Sequence, residues 1–229
     1  MVTVHLNTPP PNQEITGLRE LLHEQFPEAH ACRPGDDEDA GATVVTGLST
    51  LDTIGLRAGM LCEAVAERPS LGSALLITEV LRGLATQGNH TVLIDGRDAL
   101  DPQSLGSEGC QRLLWVRCEN AAEAVKSADL LLRDGNLPLV LMDLEWNPRW
   151  ELGRIPSSSW FRLRNLIETT SATLLVVTPV KLISCAHLRL SLTNTFTVDD
   201  LREQERSLAA KYALTVTRNR RDHAWAGTG

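Results

Sequence analysis

Metal-like cysteine spacing, a long apolar run and an excess of positive charge are all missing from this chain of 229 residues. Its five cysteines, at positions 32, 62, 110, 118 and 185, are scattered, odd in number and without a C-x-x-C pair. That argues against both a zinc site and a disulfide framework, and it reads Cys62 and Cys185, which lie in apolar runs, as buried thiols. No stretch approaches the roughly 18 apolar residues of a membrane span. The opening Met1-Val2-Thr3-Val4-His5 has no basic segment followed by an apolar one, so no signal peptide is expected and the chain reads as cytoplasmic. Acidic residues outnumber basic ones by 29 to 22, a net charge of −7, the wrong sign for a nucleic-acid binder driven by electrostatics. His5, His23, His30, His90, His187 and His223 show no metal-ligand spacing. Ser70, Ser73 and the run Ser157 to Ser159 lack a G-x-S-x-G setting. Neither a metal centre nor a hydrolase is indicated.

What is present is an ordinary globular composition, 42% apolar and 22% charged, long enough for one α/β domain with a small appendage. Residues 1–12, ending in Pro9-Pro10-Pro11, read as an extended or disordered lead-in. Residues 13–26 read as a helix, with Ile15, Leu18, Leu21, Leu22 and Phe26 at helical spacing and Pro27 as its stop. Such a helix either packs on its own domain or docks on a neighbouring subunit as an arm. Residues 30–42 form an acidic linker in which Asp36, Asp37, Glu38 and Asp39 are simply solvated.

From Val44 the pattern becomes regular. Strands are expected at 61–66, 91–95, 137–143 and 172–178, with helices at 73–86, 121–132 and 161–169 between them. Leu76, Val80, Leu81 and Leu84 form the inward stripe of the first helix. This alternation implies a mostly parallel sheet with helices on both faces. Residues 187–192 and 213–218 alternate apolar and polar, which suits antiparallel strands at the sheet's C-terminal edge. A charged surface helix is expected over 198–211. The organisation is thus an N-terminal helix and linker over 1–42, an α/β core over 43–221 and a tail over 222–229.

Strand 61–66, a tight loop and helix 73–86 make the setting in which G-x-x-x-x-G-K-[ST] cradles phosphate. The phosphate-binding residues are not there. The first glycine is Glu67, the lysine is Ser73 and the hydroxyl residue is Ala74; Gly72 alone remains. A carboxylate at Glu67 repels a triphosphate, Ser73 offers no cation, and Ala74 cannot ligate Mg²⁺.

The segments themselves resemble the RecA recombinase core over roughly residues 44–221. Thr46-Gly47-Leu48-Ser49-Thr50-Leu51-Asp52 is similar to its TG-x-x-x-LD opening, and Leu93-Ile94-Asp95-Gly96-Arg97-Asp98-Ala99-Leu100-Asp101-Pro102 to its FIDAEHALDP segment. Asp143 stands where the Mg²⁺-directing strand ends. Within that superfamily the chain is most similar to the ImuA family, the RecA-like accessory proteins of the bacterial mutasome. These carry a D/E-R-P-x-x-G loop, here Glu67 to Gly72, and a short A-x-L-R-L strand, here Ala186 to Leu190. The resemblance implies a RecA-like pseudo-ATPase with an N-terminal helical arm and no cofactor. Arg97 replaces the acid that activates water and cannot act as a base. Asp98, next door, points elsewhere if the strand-end geometry is shared. The stretch Thr178 to Ala186 has neither the γ-phosphate-sensing Gln nor the long DNA loop.

The implied role is in SOS-induced mutagenesis and translesion synthesis, bridging error-prone polymerase subunits and RecA, with self-association and weak DNA contact also open. Leu18, Leu21, Leu22 and Phe26 would form the docking helix. After Asp143, Trp146, Arg149, Trp150, Arg154 and Trp160 fall where RecA has its first DNA loop. Their residue types suit a single-strand stacking site and a protein hot spot equally, while Trp160 and Phe161 also suit core anchors. Two alternatives remain: a recombination ATPase with an unorthodox loop, and a division inhibitor of the SulA kind. Arg218-Asn219-Arg220-Arg221 is a short basic run that meets phosphate or solvent.

Overall fold

The central strands of this chain are short and apolar on both sides, so each must be covered above and below. In the computed structural model this produces a three-layer α/β arrangement. The structure describes residues 2–5, 43–68, 71–170, 172–194, 196–197, 199–200, 208–209 and 211–220. The docking helix expected around Leu18, Leu21, Leu22 and Phe26, the acidic linker, most of the surface helix expected over 198–211 and the C-terminal tail lie outside these residues.

In chain order the elements are β1 (Val2–His5), β2 (Thr43–Val44), α1 (Ser49–Ile54), β3 (Leu56–Arg57), β4 (Leu61–Val65), α2 (Ser73–Thr86), β5 (Thr91–Asp95), α3 (Pro102–Gln111) and β6 (Leu113–Arg117). They continue with α4 (Ala121–Asp134), β7 (Leu139–Asp143), α5 (Arg149–Leu152), α6 (Ser157–Thr170), β8 (Thr173–Thr178), β9 (Leu188–Leu192) and β10 (Leu214–Asn219). Eight strands form one sheet in the order β1-β6-β5-β7-β8-β4-β9-β10, and β2 and β3 form a separate small pair. All neighbours in the large sheet run parallel except β9 and β10.

The expected fold class therefore holds, with two refinements. β9 joins β4 in parallel and meets β10 antiparallel, so the reversal occurs at the last strand. Residues 2–5, expected in a lead-in, instead pair with β6 at the opposite edge.

The two faces are filled by different helices. α2 buries Leu76, Ile77, Val80, Leu81 and Leu84 against Leu93, Leu141, Leu175 and Leu190. On the other face α4 and α6 bury Ala124, Ala128, Leu131, Trp160, Leu163 and Ile167 against Ile94, Val116, Met142 and Val176. No helix among the described residues is long and apolar enough to cross a membrane.

A buried ion pair ties the far side of the sheet together. Glu63, fully buried on β4, accepts from Arg189 Nε at 2.5 Å, from the Leu182 and Ile183 amides at 2.6 and 2.9 Å, and from Thr178 Oγ1 at 3.3 Å. Arg189 Nη2 donates on to the Ile183 carbonyl at 2.7 Å. The short connection after β8 is thus anchored directly to the sheet.

Candidate functional site

Parallel α/β sheets place their sites at the C-terminal ends of strands, where loops and helix N-termini converge. Here that edge gathers the loop before α2 and the carboxylates of Asp95, Asp143 and Glu145. β5 and β7 bring Asp95 and Asp143 into register as direct neighbours.

The loop ends at Gly72, which sits at the N-cap of α2 with φ 84° and ψ 28°, a left-handed conformation that favours glycine. The space beside it is occupied. A Cβ there would lie 2.7 Å from Phe196 Cε2 and 3.0 Å from Tyr212 Cε2. The Tyr212 hydroxyl donates to the Gly72 carbonyl at 2.9 Å, and Asn194 Nδ2 donates to the Leu71 carbonyl at 2.7 Å. Asn194 Oδ1 in turn accepts from the Ala213 amide at 2.6 Å. Residues after β9 thus clasp the end of the loop.

Ser73, at the lysine position of a phosphate loop, is buried and donates its hydroxyl to the Glu145 carboxylate. Ala74 is exposed at the start of α2. Glu67 is also exposed and pairs with Lys181 at 3.3 Å. The Asp143 carboxylate accepts from the Glu145 amide at 2.9 Å. Burial, reinforced by repulsion from Asp95 and Glu145, pushes its carboxyl up to about 7. Burial likewise raises Glu145, against the pull of the Ser73 hydroxyl. Among the described residues no group of three or more His, Cys, Asp or Glu is arranged to hold a metal ion.

Asp95 has a structural task. It accepts from the Arg97, Ala99 and Leu100 amides at 3.0–3.2 Å and from Trp115 Nε1 at 3.1 Å, folding the turn after β5. Asp101 then caps α3 through the Gln103 amide at 3.0 Å. Thr46 and Asp52 behave similarly: the Asp52 carboxylate accepts from Thr46 N, Thr46 Oγ1 and Gly47 N at 2.6–3.0 Å. This turn lies so close to α2 that a Cβ at Gly83 would meet the Thr46 carbonyl at 2.0 Å. Both of the longest RecA-like motifs are therefore folding motifs here.

Arg97 is engaged elsewhere. It donates to the Glu119 carbonyl at 2.9 Å and pairs with Glu151 at 2.5 Å. Asp98, at φ 57°, pairs with Arg117 instead of facing the loop. Glu151 also accepts from Asn147 Nδ2 at 2.9 Å and from the Ala121 amide at the start of α4. Asn147 Nδ2 reaches the Gly96 carbonyl at 3.1 Å as well. The segment after β7 is thereby fastened on its inner side.

On its outer side the expected contact residues divide. Trp146 and Trp150 are each 62% exposed, and Arg149 and Arg154 are exposed beside them, with Arg154 stacked 4.8 Å from the centre of the Trp150 ring. Trp160 does not belong with them. It is 2% exposed and packs in the core with Leu163 and Ile167, on the inward stripe of α6. Sequence reasoning missed Glu145, Asn194, Phe196, Tyr212, Asn147 and Glu151. All six act through tertiary contacts, and no local pattern marks them.

No protein-family model matches the chain. Among curated proteins it is similar to RecA of Clavibacter michiganensis subsp. michiganensis, 30% identical over 129 residues, which span 53% of this chain and 35% of that protein. RecA of Leifsonia xyli subsp. xyli is 29% identical over 136 residues, 56% of this chain and 38% of that protein. RecA of Acinetobacter baumannii is 30% identical over 53% of this chain and 37% of its own length. The chain thus spans well under half of the curated relatives it matches. The crystal structure of the RadB recombinase superposes with a TM-score of 0.51 at 16% identity, covering 64% of this chain and 81% of that one. The fold is RecA-like, and the matches relate the chain to the RecA-like superfamily.

Proposed function

We propose that this chain is a RecA-fold accessory protein that has given up ATP chemistry and serves damage-induced mutagenesis by bridging error-prone polymerase subunits and RecA. One observation carries the first half: the phosphate-loop positions Gly72 and Ser73 are taken up by residues from elsewhere in the chain. Ser73 is bound to Glu145, and Gly72 is clasped by Tyr212 beside Phe196. A triphosphate entering there would have to break these contacts and face Asp143 and Glu145 without a lysine to balance it. The bridging role rests on the resemblance of the loop at Glu67 to Gly72 and the strand at Ala186 to Leu190 to the mutasome accessory family. Contacts would come from the helix expected around Leu18, Leu21, Leu22 and Phe26, and from the segment at 146–154.

A second reading, a recombination ATPase with an unorthodox loop, draws on the RecA matches over about half of the chain and on Asp143 at the strand end. The two part in a cell-based assay. Deleting the gene should lower the mutation frequency after DNA damage, and the Asp143→Asn protein should restore it fully. Restoration by the native residue alone would favour the ATPase reading, and an unchanged frequency on deletion would remove the mutagenesis role.

A further inference from the structure

The chain buries Trp115 and Trp160 and yet leaves Trp146 and Trp150 more than half exposed. In a protein with 4% aromatic residues, two neighbouring exposed indoles are not incidental surface. The segment that carries them is sorted by direction. Asn147, Glu151 and Leu152 face inward, the first two bonded to Gly96, Arg97 and Ala121 and the third fully buried. Trp146, Arg149, Trp150 and Arg154 face out. Successive backbone bonds, from Glu151 N to Pro148 O at 2.9 Å, Gly153 N to Arg149 O at 3.0 Å and Arg154 N to Glu151 O at 3.0 Å, hold the outward residues on a fixed turn. The backbone beneath them has little conformational freedom left for a ligand to remove.

Charge decides what fits. Glu145 and Glu151, the acids of this segment, are already engaged with Ser73 and Arg97. Arg149 and Arg154 have no carboxylate partner among the described residues, so a cationic, aromatic surface stands out on a chain of net charge −7. A single nucleic-acid strand would need a longer basic track than two guanidinium groups. One face of Trp150 is also already stacked by Arg154.

We propose that Trp146, Arg149, Trp150 and Arg154 form a docking surface for an acidic segment of a partner protein, with bulky apolar side chains set between its carboxylates. The indoles would take the apolar anchors and the guanidinium groups the carboxylates. The proposal rests on the reading of this chain as a bridging protein and adds the chemistry of one contact.

The test is selection of random twelve-residue displayed peptides on the full chain, followed by anisotropy titrations of the selected peptides with Trp146→Ala/Trp150→Ala, Arg149→Glu/Arg154→Glu and a competing dT20 oligonucleotide. Acid-rich peptides with Leu, Phe or Trp anchors should emerge. Their binding should weaken at least about tenfold in each double variant, and also with added salt. The charge-reversal pair keeps the test valid should the alanine pair fold poorly. An empty selection, peptides without acidic residues, binding indifferent to both variants, or dT20 held by the same residues would each overturn the proposal. None of these results depends on mutation frequency, so failure here and failure of the bridging role are read separately.

Discussion

Asp143 carries an electrostatic cost. Burial, with Asp95 and Glu145 close by, pushes its carboxyl from an ordinary 3.8 up to about 7. The folded state therefore holds that proton more tightly than the unfolded one, and stability falls as pH rises from about 4 to 7. Asn in its place keeps an oxygen for the Glu145 amide and removes the charge. Asp143→Asn should raise stability by about 2–4 kcal/mol at pH 8, with the gain shrinking towards zero near pH 4. Paired denaturant titrations at the two pH values measure this, and a variant less stable at pH 8 would contradict it. Glu63 is paired instead. Its charge is balanced by Arg189, and its oxygens satisfy two backbone amides. Glu63→Ala should cost about 3–5 kcal/mol, since it strands a buried guanidinium. A loss under about 1 kcal/mol would show that the connection after β8 does not depend on this pair.

At the scale of elements, the loop before α2 is held from outside. Tyr212→Phe removes the partner of the Gly72 carbonyl and should cost about 1–2 kcal/mol. Gly72→Ala should cost more, about 2–3 kcal/mol, because it combines a left-handed φ with a clash against the Phe196 ring. Equal stability of Gly72→Ala and the native chain, by thermal melts, would mean that the clasp is loose.

Elements with strong periodicity were legible in advance: the stripe on α2 and the apolar runs of β5 and β8 appear where the residues place them. β6 was not. Its Leu113-Leu114-Trp115-Val116-Arg117 follows a helix broken in its pattern by Gly106 at φ 70°, which leaves neither segment a clean period. The four residues of β1 are too short to signal a strand alone. Trp160 shares its composition with Trp146 and Trp150, and its phase with Leu163 and Ile167 separates it from them. The contacts that close the site were hidden for another reason. Ser73 and Glu145 lie 72 positions apart, Gly72 and Tyr212 140, and nothing local announces either meeting.

At the scale of the whole molecule, the chain has a RecA-like fold, while Gly72 and Ser73 are engaged in internal contacts with Tyr212 and Glu145. In the function proposed above, fold and chemistry have come apart. The most direct test is a thermal melt of the full chain with and without millimolar Mg·ATP. A ligand at about 100 times its Kd adds about 2.7 kcal/mol, or roughly 5–10 °C for a chain of this size. This account predicts coincident melting curves. A clear upward shift that disappears in Asp143→Asn would contradict it and return Gly72, Ser73 and Asp143 to a working nucleotide site.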